Sequence, residues 1–176
     1  MLKDTTKARR YNSYFLLLGV LFSGCKKDDP TPLERLPPAT TTGANTWGCL
    51  VNGEAWTSKG ADNMGSDWTV PDGMSVRMYF STRRISLVFP DTTSSYRLLV
   101  GAYALVPNNL VGSHASVRIG SKIYNGSNLV GGIVHLNRVD RQAGVVSGTF
   151  ELTIVDQPGD TLRVTNGRFD IGDMAR

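Results

Sequence analysis

The sequence predicts an all-β domain, an antiparallel β-sandwich with a small closed barrel as the alternative. Three observations carry this. Apolar and polar residues alternate with period two over most of residues 46–176, turn residues recur at short spacing, and no stretch has the 3.6-residue period of an amphipathic helix. About 130 residues remain in this region, enough for one domain with a real core.

The elements follow in order. Trp47-Gly48-Cys49-Leu50-Val51, Asn52-Gly53 and Glu54-Ala55-Trp56-Thr57 read as a hairpin, because Asn-Gly suits a type I′ turn. That register pairs Cys49 with Trp56 and puts Trp47, Cys49, Val51 and Trp56 on one face. With no second cysteine left for it once Cys25 is acylated, Cys49 is expected to be a small buried hydrophobe. Residues 59–74 read as a polar loop. Val76, Met78 and Phe80 alternate with Ser75, Arg77 and Tyr79, and after a polar turn at Ser81–Arg84 the pattern resumes at Ile85, Leu87 and Phe89. Tyr96, Leu98 and Val100 suggest a further strand, followed by a second polar loop at 106–116.

Val117–Tyr124 and Leu129–Val139 are the next candidate strands, the latter with Gly131-Gly132 as a bulge or close backbone approach. In the following strand Val146, Phe150, Leu152 and Ile154 face inward, and Ser147, Thr149, Glu151 and Thr153 outward. Gln157-Pro158-Gly159-Asp160 is a turn. The last strand starts with Leu162 and Val164 inward and ends with Phe169 and Ile171 inward, a change of parity that requires a bulge near Asn166-Gly167.

The first 45 residues have a different character. Lys3, Lys7, Arg9 and Arg10 precede the apolar run Tyr14–Phe22, which is too short to span a bilayer but suits a secretory signal. Leu21-Phe22-Ser23-Gly24-Cys25 resembles the lipobox of bacterial lipoproteins, with Phe22 where a leucine is usual. The expectation is removal of residues 1–24 and a diacylglyceryl thioether on Cys25, with palmitate-type chains holding the protein to a membrane. Lys27, Asp28 and Asp29 resemble the surface-export signal of Bacteroidota lipoproteins. They imply outer-membrane anchoring with cell-surface exposure, a periplasm-facing anchor being the alternative. Residues 25–45, with Pro30, Pro32, Pro37, Pro38 and Thr40–Thr42, read as a disordered tether.

Removal of the signal changes the charge. Of 19 Lys/Arg and 15 Asp/Glu, four basic residues and one acidic residue lie in 1–24, leaving 15 and 14. A mature chain near neutrality gives no electrostatic case for nucleic acid as a partner.

Catalytic signatures are missing: there is no Gly-x-Ser-x-Gly, no phosphate-binding glycine loop and no His-Glu-x-x-His. No cofactor or metal is called for. Asp62, Asn63, Asp67 and Asp72 do not have EF-hand spacing, and a lone cysteine excludes paired-cysteine metal sites. His114, in a Ser/Gly loop, and His135, in a strand, are the candidates for a hydrolase. Arg77, Arg83, Arg84 and Arg97 could form an anion-binding patch. For a binding module the expected determinants are Trp68 as a stacking platform, with Asn63, Asn108 and Asn109 as amide hydrogen-bonders in the two loops.

The segments Leu36-Pro37-Pro38-Ala39-Thr40, Gly43-Ala44-Asn45-Thr46 and Gly48–Trp56 resemble the start of a family of uncharacterised Bacteroidota lipoproteins. Gly101–Leu105, Ser147–Leu152 and Val164–Ile171 resemble later elements of the same proteins. The resemblance implies an exported all-β domain with no established catalytic residues. The leading expectation is a lipid-anchored, non-catalytic module that binds a glycan, an envelope component or a protein partner. The alternatives are an envelope hydrolase and a structural subunit of an outer-membrane complex.

Overall fold

The computed structural model describes residues 29–59, 64–69, 73–89, 100–107 and 112–172. It is an antiparallel β-sandwich. One sheet holds β1 (Thr46–Val51), β2 (Glu54–Lys59), β6 (Gly101–Ala104), β9 (Leu129–Asp140), β10 (Val145–Gln157) and β11 (Asp160–Ile171), in the order β2-β1-β11-β10-β9-β6. The other holds β3 (Met64–Thr69), β4 (Gly73–Phe80), β5 (Arg83–Phe89), β7 (His114–Ile119) and β8 (Lys122–Tyr124), in chain order. Neither sheet closes on itself, so the barrel alternative does not apply.

Alternating side chains fill the space between the sheets. Trp47, Val76, Met78, Ile85, Leu87, Val117, Val134, Val146 and Ile154 have no exposed surface, and Trp56, Phe89, Phe150 and Phe169 are nearly as buried. Burial of each large side chain contributes roughly 1.5–3 kcal/mol, and together they drive assembly. The first hairpin has the expected register, Cys49 opposite Trp56, and its turn residues Asn52 and Gly53 take φ 48° and 85°, as a type I′ turn requires. Cys49 is fully buried, and desolvation pushes its thiol up to about 12, which leaves it inert. At the Pro158-Gly159 turn, Gln157 pairs with Asp160 and Gly159 takes φ 87°.

The expected parity change in β11 is present. The register shifts between Thr165 and Arg168 against β1 and between Val164 and Gly167 against β10, and Asn166 takes φ 53°. Gly132 marks a close approach, since a Cβ there would lie 2.7 Å from the Glu151 carbonyl oxygen.

Four expectations need correction. The polar loop 59–74 contains a strand: β3 pairs Met64–Thr69 with β4 as an edge strand, where one neighbour suffices and alternation is not enforced. Val117–Tyr124 is not one strand, because Gly120 at φ 59° turns the chain between β7 and β8. Val100 is an exposed bend, with β6 starting at Gly101; Tyr96 and Leu98 lie outside the described residues.

The fourth concerns the tether. Residues 36–45 do not stand free but form a strap across the outer face of the six-stranded sheet. Leu36 is buried, and Pro37 sits so close over Gly48 of β1 that a Cβ there would be 2.6 Å from Pro37 Cδ. Further along, Arg138 of β9 donates to the Thr41 carbonyl at 2.8 Å, and the Gly172 amide donates to Asn45 Oδ1 at 2.8 Å. The domain therefore begins at about residue 36 rather than 46.

Candidate functional site

Asp170 fastens the strap. It lies on the outward side of β11 and is only 1% exposed. Its Oδ2 accepts from the Thr40 hydroxyl at 2.6 Å and the amides of Thr42 and Ala44 at 3.0 and 3.1 Å, while Oδ1 accepts from the Gly43 amide at 2.8 Å. Gly43 reaches this position with φ 79°. Burial pushes the Asp170 carboxyl up, but the hydroxyl of Thr40 and the three amides outweigh it and hold the group below the ordinary carboxylate range. Ser147 lies opposite Asp170 in β10, where alternation predicts an outward side chain. It does face outward, but it is completely buried in this row.

One step along the strands, the pairings align Ala102 of β6, His135 of β9, Thr149 of β10, Arg168 of β11 and Gly48 of β1 in an outward row. Beside it lies Glu151, paired with Ile133. Of these, His135, Thr149, Arg168, Glu151 and Ile133, with Asn166 at the bulge and Ala39 of the strap, line an open groove of about 490 Å³. That volume is within the roughly 300–1,000 Å³ usual for ligand sites. A second hollow of about 380 Å³, lined by Val130–Gly132, Thr153 and Thr165, shares Glu151 with the first.

The groove arises from three local features. Strand alternation sends 135, 149 and 168 to the same side. The bulge at Asn166-Gly167 breaks the regular surface, and the strap raises one wall. Arg168 is held at two points, Nε–H to the Asn166 carbonyl and a terminal N–H to the Pro37 carbonyl, both at 3.2 Å. Among the described residues no hydrogen bond or ion pair engages the side chains of His135 and Glu151, and both residues line the groove.

The sequence candidates are dispersed. His135 lines the groove, whereas His114 opens β7 in the opposite sheet, its Nδ1 3.4 Å from the Gly112 carbonyl oxygen. His114 is thus a strand residue rather than a loop residue, and the two histidines share no site. Trp68 lies in β3 opposite Met74; its side chain is outside the described region, as are Asn63, Asn108, Asn109, Cys25, Lys27 and Asp28. Asp29 is exposed. Arg83 does not join an open patch: it bonds Glu54 at 3.2 Å and lies over the rings of Trp56 and Phe80. Arg97 is outside the described residues. Among the described residues no cluster of His, Cys, Asp and Glu could hold a metal ion, and no helix is long and apolar enough to cross a membrane.

Sequence reading missed Thr149, Glu151, Asn166 and Arg168 as site residues. The parity change near Asn166 was the available signal, since a bulge on a sheet face re-aims neighbouring side chains. No protein-family model, curated protein or solved structure matches this chain.

Proposed function

We propose that this chain is a lipid-anchored envelope lipoprotein whose β-sandwich is a non-catalytic binding module, and that the groove over β9–β11 holds a hydroxyl-rich envelope glycan. The reading of the anchor rests on Leu21–Cys25 and the charges around it. The observation that carries the binding reading is the outward row His135, Thr149 and Arg168 with Glu151 beside it, in a groove of about 490 Å³. These side chains offer an imidazole, a hydroxyl, a guanidinium and a carboxylate within one concave surface. Such mixed donors and acceptors match sugar hydroxyls, each of which both donates and accepts.

Two measurements test this. On an array of envelope glycans, the full chain should bind and Glu151→Gln should lose most of the signal while its melting temperature stays unchanged. Retained binding by Glu151→Gln would move the site elsewhere. Turnover of a generic ester or glycoside, lost on His135→Ala, would replace the binding reading with a hydrolase. For the anchor, Cys25→Ala should abolish fatty-acid labelling and release the protein from membranes; an unchanged membrane fraction would overturn it.

A further inference from the structure

Arg168 differs from the other well-placed arginines. Arg83 pairs with Glu54 and Arg138 with Asp140, whereas Arg168 has no carboxylate within ion-pair distance among the described residues. Its two partners are neutral carbonyls, Asn166 and Pro37. Two of the five guanidinium N–H groups are used in orienting it, and three remain for a ligand. A part-buried cation, fixed in direction and left without a counter-ion, is a place for an anion.

We infer that the groove selects saccharides carrying a carboxylate, with Arg168 as the anion-binding arm and the docked strap as the element that aims it. This rests on the reading of the groove as a glycan site. The remaining groups suit the rest of such a ligand: Glu151, Thr149 and the Asn166 amide face hydroxyls, and Glu151 would repel a second negative charge next to the first. A ligand with one acidic group per site is therefore favoured over a densely charged polyanion. An acidic peptide fits less well. Peptides that recognise sheets add to an open edge, and this groove lies over β9, β10 and β11, each hydrogen-bonded on both sides.

The strap belongs to the site. Ala39 forms one wall and the Pro37 carbonyl supplies one of the two anchors of Arg168, while Asp170 holds Thr40–Ala44 in place. Asp170 does not line the groove; it is a positioning residue that acts through the strap.

The test is calorimetric titration of the full-length protein, in detergent, with the singly charged methyl galacturonoside and with the neutral methyl galactoside. The acidic sugar should bind tighter by roughly tenfold or more, the amount a charge-assisted hydrogen bond is worth. Arg168→Gln should reduce that ratio to near one with neutral binding retained. Arg168→Lys, which keeps the charge but loses the fork, should keep part of the ratio and decides the matter if the Gln variant does not fold. Asp170→Asn should lower the ratio, whereas a purely structural role would weaken both sugars alike. Equal affinity of the wild type for both sugars, binding of neither, or a ratio that survives Arg168→Gln would each overturn the inference. Failure of the underlying glycan reading is separately visible as array binding insensitive to Glu151→Gln.

Discussion

Two carboxylates act as clasps in this molecule, Asp170 on the strap and Asp160 between the sheets, and they do so in different surroundings. Asp170 is buried and surrounded by a hydroxyl and three backbone amides of the strap. Asp160, at the β10–β11 turn, meets the ammonium of Lys122 and, at 3.1 Å, the hydroxyl of Tyr124. Asp156 adds a contact to Lys122 at 3.6 Å, and the ammonium also lies over the Tyr124 ring. This second cluster joins β8 of one sheet to β10 and β11 of the other. Both Asp160 and Asp170 are held below the ordinary carboxylate range, Asp160 by its bond to Lys122 and Asp170 by bonds that outweigh its burial.

The comparison teaches that such a shift does not rank two clasps. At Lys122 water competes for every partner, because the side chain is 45% exposed and that of Asp160 34%. Exposed ion pairs contribute little once side-chain entropy and salt screening are counted. At Asp170 the amides have no alternative partner while the strap is docked, so the carboxylate satisfies donors that would otherwise be stranded.

The largest expected effect separates the two. Asp170→Ala should cost about 2–4 kcal/mol, through loss of several hydrogen bonds to a charged group. The loss is capped by the free energy of strap docking, since a released strap exposes its amides to water. Chemical denaturation should show the drop, and proteolysis should then cut between residues 36 and 45; an intact strap in this variant would break the comparison.

Next in size is the seat of the strap on β1. Gly48→Val places a side chain where Pro37 lies and should cost roughly 1–3 kcal/mol, as overpacking does. Its melting temperature should fall, and the acid-to-neutral sugar ratio should fall with it. A stable variant with an unchanged ratio would show that Pro37 does not aim Arg168.

Acidification sharpens the contrast. The folded-state pKa of Asp170 is depressed, so its contribution to stability is complete above the unfolded carboxyl value and is lost as pH falls through the folded one. The protection of the Thr42–Ala44 amides, measured as the exchange rate relative to that of a free peptide at the same pH, should therefore stay high from neutral pH downward and fall only below the ordinary carboxylate range. Loss of that protection already near pH 6–7 would be incompatible with a lowered Asp170 pKa.

The smallest effect belongs to the exposed cluster. Lys122→Met should leave the melting temperature nearly unchanged in moderate salt, and any difference at low salt should vanish as salt is added. A salt-independent loss would mean that this end is as well insulated as the other.

The sequence by itself determined the class of fold and much of its register. Alternation gave the inward faces of β1, β4, β5 and β10; Asn52-Gly53 fixed a hairpin; and the parity change from Val164 to Phe169 located the bulge. These are local consequences of a two-residue side-chain period and of left-handed turn conformations, so a single chain displays them. β3 escaped because an edge strand need not alternate, and the β7–β8 turn because a single glycine in an apolar run is weak punctuation.

Only the tertiary structure decided the strap and the groove. Thr40–Asn45 is polar and follows prolines, which reads as free chain. Its docking depends on backbone amides meeting the carboxylate of Asp170, about 130 residues away. Nor can the sequence bring His135, Thr149 and Arg168 together, because strand order and register set their approach. An outward polar residue has the same appearance in the sequence whether it faces open water or a groove. What distinguishes the two is which strands lie beside it and what chain crosses above.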